Sequence, residues 1–154
     1  MSHPCHNDDV VDALETAFAD TFRLMFKAQS YHWNVTGPLF HALHAMTEES
    51  YTDLFQALDD LGERLRALGV TAPCSLNEVM ARSRFHDFEM LLSGPAMAQD
   101  LGQRHADMAE SFRVLADMAT GDVVTADMAI RRAEVHDKAA WMYRALVASE
   151  GTDV

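Results

Sequence analysis

Glycine and proline fall in clusters along this chain: Gly37-Pro38, the stretch from Gly69 to Pro73, Gly94-Pro95, Gly121 and Gly151. Only Gly62 and Gly102 stand inside the intervals. Both residue types are poor in helix interiors, so the clusters divide the chain into four long stretches free to be helical. Each stretch carries apolar residues at helical spacing. Segment A, about Asp9 to Val35, has Leu14, Phe18, Phe22, Met25 and Trp33; segment B, about Leu39 to Leu68, has Leu43, Met46, Leu54, Leu58, Leu61, Leu65 and Leu68. Segment C, about Pro95 to Ala119, has Met97, Leu101, Met108, Phe112 and Leu115. Segment D, about Val124 to Ser149, has Met128, Val135, Ala139, Met142 and Leu146. Between B and C, Ser75-Leu76-Asn77-Glu78 reads as a capping box opening a short helix to about Ser83.

With 154 residues there is room for one domain with a real core. Isoleucine occurs once, at Ile130, and β-strand signals are scarce. The expected fold is all-α, a four-helix bundle with a short extra helix in the B–C connection. Residues 9–150 are expected to form the bundle, with residues 1–8 a flexible N-terminal tail. The B–C connection is long enough to cross the bundle end, so strict up-down-up-down order is not required.

The net charge is −12, from 24 Asp and Glu against 12 Lys and Arg. Such a surface repels nucleic acid and anionic membranes and attracts cations. The first basic side chain is Arg23 and the last Arg144, so neither end is a basic arm. No window approaches the roughly 18 apolar residues of a membrane span. MSHPCHNDDV lacks the features of a secretion signal, and Cys5 and Cys74 are too few for a disulfide framework. A cytoplasmic protein is expected.

Segment B has a second stripe: His41, His44, Glu48, Tyr51, Phe55, Asp59 and Glu63. His44 and Glu48 are spaced by four, as are Asp59 and Glu63, so each pair points to one spot on the helix surface. Imidazole and carboxylate together suit iron, manganese or zinc. His32, seven residues past Met25, continues the buried stripe of segment A. Yet His44 and Asp59 lie roughly 22 Å apart along one helix at about 1.5 Å per residue. One copy cannot place both at one metal. Two antiparallel copies crossing near Asp53 and Leu54 can, because positions 44 and 63, and positions 48 and 59, share the same midpoint. A two-fold dimer would then hold two identical sites. Taken singly, a histidine on an apolar stripe is ordinarily a hydrogen-bonded core residue, and acidic pairs are ordinarily solvated. Their common register favours the metal reading. The Glu-x-x-His motif of ferritin-type sites within one bundle occurs nowhere here.

Tyr31-His32-Trp33-Asn34-Val35-x-Gly37-Pro38, Phe40-His41-Ala42-Leu43-His44 and Leu58-Asp59-x-Leu61-x-Glu63-Arg64 resemble the Dps family, the ferritin-like mini-shells named for DNA protection in starved cells. Gly121-Asp122-x-x-Thr125-Ala126-Asp127-Met128 and Asp137-Lys138-x-x-Trp141-Met142 match that family's last helix. The resemblance implies a homododecamer with ferroxidase centres at its two-fold interfaces. The iron ligands would be His32, His44 and Glu48 of one subunit with Asp59 and Glu63 of its partner. It also implies Fe(II) oxidation, preferably by hydrogen peroxide and otherwise by oxygen, with ferric mineral stored inside. Trp33 would sit beside the site. Asp122 and Asp127 match positions near the three-fold pores; Asp117, one turn earlier, is a weaker candidate. Two features depart from the family pattern: Glu48 stands where Asp is usual, and Gly62 replaces a small helix former.

Elsewhere, His3, Cys5 and His6 form a small cluster that reads as terminal noise rather than a metal site. His86, His105 and His136 lack partners at ligand spacing and read as structural or exposed, and the ten methionines read as core packing. The competing function is a nucleoid-compacting DNA-binding shell. Lysine-rich tails carry that activity in the family, and this chain has none.

Overall fold

The computed structural model describes residues 7–87 and 90–148. Among them there are five helices and no strand: α1 (Asp8–Asn34), α2 (Phe40–Ala67), α3 (Leu76–Arg82), α4 (Gly94–Met118) and α5 (Val123–Leu146). The expected all-α bundle and its short extra helix are both present. His3, Cys5, His6, Ser149 and Gly151 lie outside the described residues.

Local chemistry fixes most helix ends. Asn7, Ser75, Ser93 and Asp122 each accept a backbone N–H of the first turn, at 3.0, 3.1, 3.4 and 3.1 Å. α2 ends in a Schellman motif: Val70 N–H bonds Leu65 O and Gly69 N–H bonds Arg66 O, both at 3.0 Å. Gly69 supplies the φ of +84° that this requires.

The short turn after α1 makes α1 and α2 an antiparallel pair, and α4 and α5 form a second. Gly94, at the start of α4, packs against Thr36 and Leu39 at the α1–α2 turn. α2 and α4 therefore start from the same end of the bundle and run parallel. The connection carrying α3 returns the length of the molecule and is strapped to α1. Asp20, fully buried on α1, accepts Ser83 Oγ at 2.9 Å, the Arg84 backbone N–H at 2.7 Å and Arg84 Nε at 2.8 Å. A buried carboxylate is tolerable only when satisfied in this way.

The core is built from Leu14, Leu24, Leu43, Leu54, Leu61, Leu65, Met97, Leu101, Met108, Phe112 and Leu115. Two expectations are corrected. Trp33 is 61% exposed, because the buried face at the end of α1 passes through Tyr31, His32 and Val35 instead. The inner face of α5 is Thr125, Ala129, Ala133, His136, Ala140 and Tyr143, whereas Met128, Ala139, Met142 and Leu146 sit at its flank and Val135 is exposed. α4 and α5 approach closely: a Cβ on Gly102 would lie 3.4 Å from Tyr143 Cβ and Arg144 Cγ. That seam admits small side chains, so the larger apolar ones are displaced to its sides.

The α2–α5 seam is wider and bridged by polar pairs. Arg64 bonds Thr125 Oγ1 at 2.8 Å and both Asp122 oxygens at 2.7 Å. Arg132 grips Asp53 at 2.8 and 3.1 Å, and Ser50 Oγ meets the Tyr143 hydroxyl at 2.8 Å.

Candidate metal centre

His32 ends α1 and His44 begins α2, and the turn through Gly37 (φ +88°) and Pro38 folds one onto the other. Their rings stack with centroids 3.7 Å apart and planes 17° from parallel. His32 Nδ1 donates to the carbonyl of His44 at 2.8 Å, and His44 Nδ1 donates to the carbonyl of His32 at 2.9 Å. A carbonyl oxygen can only accept, so each ring carries its hydrogen on Nδ1. Each neutral ring then keeps a lone pair on Nε2, the arrangement that second-shell hydrogen bonds impose on metal-ligating histidines. Tyr51 lies edge-on to His32 at 5.4 Å, and Phe40 stacks on His44 at 5.1 Å. Two nitrogen donors are thus oriented before any metal arrives.

The carboxylates do not join them within one chain. Glu48 is one turn past His44 and exposed, and Asp59 and Glu63 are exposed further along the same unbroken helix. Among the described residues no three His, Cys, Asp or Glu side chains come close enough to hold a metal ion. A single chain therefore does not bring the five candidate ligands together. The exposed face of α2 also carries Phe55, 69% accessible and beside the centre of the helix.

The two pore candidates are both engaged by arginines. Partial burial tends to raise the Asp122 pKa, but hydrogen bonds from Arg64 and Thr125 outweigh it and hold the carboxyl down at about 2. Asp122 thus caps α5 as well as carrying charge. Asp127 is exposed and pairs with Arg131 at 3.0 Å. Asp117 is exposed, and so is His86.

The most consequential pair outside that stripe is His105 on α4 and His136 on α5. Both are buried, and their Nδ1 atoms meet at 2.9 Å. Burial, followed by the nearby Arg132 charge, pushes the His105 pKa down to about 4 despite the opposing pull of Asp53. His136 is held well below its usual value by burial, then by His105 and Arg132. The signal for His105 was in the sequence, since it lies on the segment C stripe between Leu101 and Met108.

A family model for the ferritin-like domain matches residues 11–150. The DNA protection during starvation protein 1 of Deinococcus radiodurans is 30% identical over 148 residues, covering 94% of this chain and 71% of that protein. The crystal structure of Dps from Staphylococcus aureus superposes with a TM-score of 0.90 at 29% identity, covering 94% of this chain and 99% of the other. The Vibrio cholerae O1 Dps structure, described as a member of a broad superfamily of ferritin-like diiron-carboxylate proteins, matches at a TM-score of 0.86 and 26% identity. That match covers 92% of this chain and 90% of the other.

Proposed function

The chain belongs to the Dps branch of the ferritin-like family, and from that premise we propose that it is an iron-storage ferroxidase whose centres form between subunits. The observation that carries this reading is the reciprocal Nδ1–carbonyl bonding of His32 and His44, which leaves an Nε2 lone pair on each of two stacked rings. Across a two-fold axis near Asp53 and Leu54, Asp59 and Glu63 of the second subunit come opposite Glu48 and His44. The exposed Phe55 beside that axis supports α2 as a subunit contact.

Fe(II) is the substrate. His32, His44 and Glu48 hold it from one subunit and Asp59 and Glu63 from the other. Few protein ligands leave coordination positions open to water and oxidant, and the carboxylates stabilise the ferric product. With hydrogen peroxide the step balances as two Fe(II) each giving one electron, cleaving the O–O bond to two hydroxides. The ferric ions then pass to the interior of a homododecamer as hydrous oxide. Asp122 and Asp127 are the pore residues of that shell, with Asp127 the more open to solvent. We place the protein in the cytoplasm; no helix among the described residues is long and apolar enough to cross a membrane. A net charge of −12 per chain disfavours DNA compaction, which needs several phosphates neutralised.

The test is anaerobic loading of metal-free protein with Fe(II), followed by peroxide and measurement of ferric absorbance and peroxide consumed. One peroxide per two Fe(II) is expected, with His32→Ala and His44→Ala reduced to the rate of iron in buffer. Oxidation no faster than in buffer by the unmodified protein would overturn the reading.

A further inference from the structure

Asp122 and Asp127, the two pore candidates, differ in what they have left to offer a cation. Asp122 Oδ1 accepts Arg64 Nη2 at 2.7 Å and the Thr125 backbone N–H at 3.1 Å. Its Oδ2 accepts the same Nη2 at 2.7 Å and the Thr125 hydroxyl. A carboxylate has about four acceptor positions, so Asp122 is spent inside its own chain. Asp127 makes one ion pair, with Arg131 one turn on at 3.0 Å, and the two side chains are 67% and 70% exposed. An exposed pair of this kind holds weakly. Asp127 therefore stays open to a cation once Arg131 gives way.

Arg131 also faces a second feature. A groove of about 560 Å³ between α2 and α5 is lined by Val124 and Arg131 on one wall and by Asp60 and Glu63 on the other. Arg64 and Arg132 border it too, but each is fixed by paired bonds to a carboxylate, Asp122 and Asp53 respectively. Of the three arginines, Arg131 is the one held by a single solvent-exposed contact.

We propose that Arg131 is a charge gate on the delivery of Fe(II), standing between the entry carboxylate Asp127 and the groove that holds Glu63. This rests on the reading of Asp127 as a pore residue and of Glu63 as an iron ligand. At rest the guanidinium offsets the Asp127 charge and repels an incoming divalent cation. Delivery is then set by how far that side chain swings aside, and Asp122, already saturated, serves as the cap of α5 rather than as a stop on the route.

The test follows Co(II) arriving at the centre of metal-free, assembled protein, as ligand-field absorbance in a stopped-flow mixer, a readout separate from iron oxidation. Arg131→Gln should accelerate arrival on the order of fivefold at low salt, the effect of removing one surface charge per chain. Arg131→Lys keeps the charge and should stay close to the unmodified rate, whereas Asp127→Asn should be slower. In about 1 M salt the Debye length falls to about 3 Å, and all four proteins should converge. Equal rates for Arg131→Gln and the unmodified protein at low salt, or an acceleration that persists at 1 M, overturn the gate and leave the centre standing. Absence of Co(II) absorbance in the unmodified protein would overturn the ligand reading and the gate with it.

Discussion

His105 and His136 face each other Nδ1 to Nδ1 at 2.9 Å, and the pair has no place for an added proton. One Nδ1 is the acceptor of that bond, and His136 Nε2 already accepts from Arg132. Protonating either nitrogen breaks a hydrogen bond inside the bundle. The folded chain thus holds both rings neutral, whereas the unfolded chain protonates them near pH 6.5. Stability should be full above that pH and fall as acid draws the equilibrium toward the unfolded state, levelling off near pH 4 for His105. Between pH 7.5 and pH 5, His105 alone should contribute a loss on the order of 2 kcal/mol, with His136 adding in the same direction. Denaturant midpoints across this range measure it. A double variant, His105→Phe with His136→Leu, should flatten the slope; an unchanged slope would locate the acid sensitivity elsewhere.

Intersubunit sharing can be tested by complementation. His44→Ala chains and Asp59→Ala chains should each be inactive alone. In a mixed dimer one centre is doubly damaged while the other joins an intact His44 to an intact Asp59. After disassembly and random reassembly, about a quarter of centres should be whole, and rapid Fe(II) oxidation should return to roughly that fraction. Mixed shells no more active than either parent would exclude a site divided between subunits.

Glu48 is one methylene longer than the residue usual at this position in the family, moving its carboxylate by up to about 1.5 Å. Metal–oxygen distances tolerate only tenths of an ångström. The first iron, on His32 and Glu63, should be retained and the second should bind weakly. Glu48→Ala is therefore expected to keep one tight metal per centre while losing rapid oxidation. Equilibrium titration with Co(II) separates the cases, since loss of all binding would make Glu48 a primary ligand.

Gly62 lies inside α2, where a Cβ would meet only the Phe18 ring at an ordinary 3.6 Å. Within one chain Gly62→Ala should therefore stabilise by about 1 kcal/mol through helix propensity, raising the thermal midpoint by a few degrees. If the space belongs to the partner's longer Glu48 arm, the same substitution should slow iron oxidation while stability rises. Faster melting of Gly62→Ala would contradict the open space at that position.

Helix lengths, caps and the His32–His44 contact were all within reach of the sequence, because they depend on neighbours close in the chain. Ser75 and Glu78 announced α3, and Gly69 announced the end of α2. The α5 face was not legible in the same way. Large apolar residues such as Met128 and Met142 carry the strongest periodic signal, yet the close α4–α5 approach at Gly102 selects Ala129, Ala133 and Ala140. Trp33 misled for the converse reason, since its bulk says nothing of whether a neighbour lies outside the chain. The common midpoint of the α2 candidates was readable as arithmetic. The His105–His136 tautomers were not, because they depend on Arg132 and on an orientation that only the packed bundle defines.

The strap at Asp20 has a kinetic consequence. The α1–α2 and α4–α5 pairs are closed by short turns and should assemble early, whereas Asp20 meets Arg84 across 64 positions of chain. That carboxylate enters the interior only as the returning connection settles, so its bonds belong to the last part of folding. Loss of the strap should accelerate unfolding far more than it slows refolding. The lifetime of the folded subunit is then governed by a loop that carries none of the candidate iron ligands.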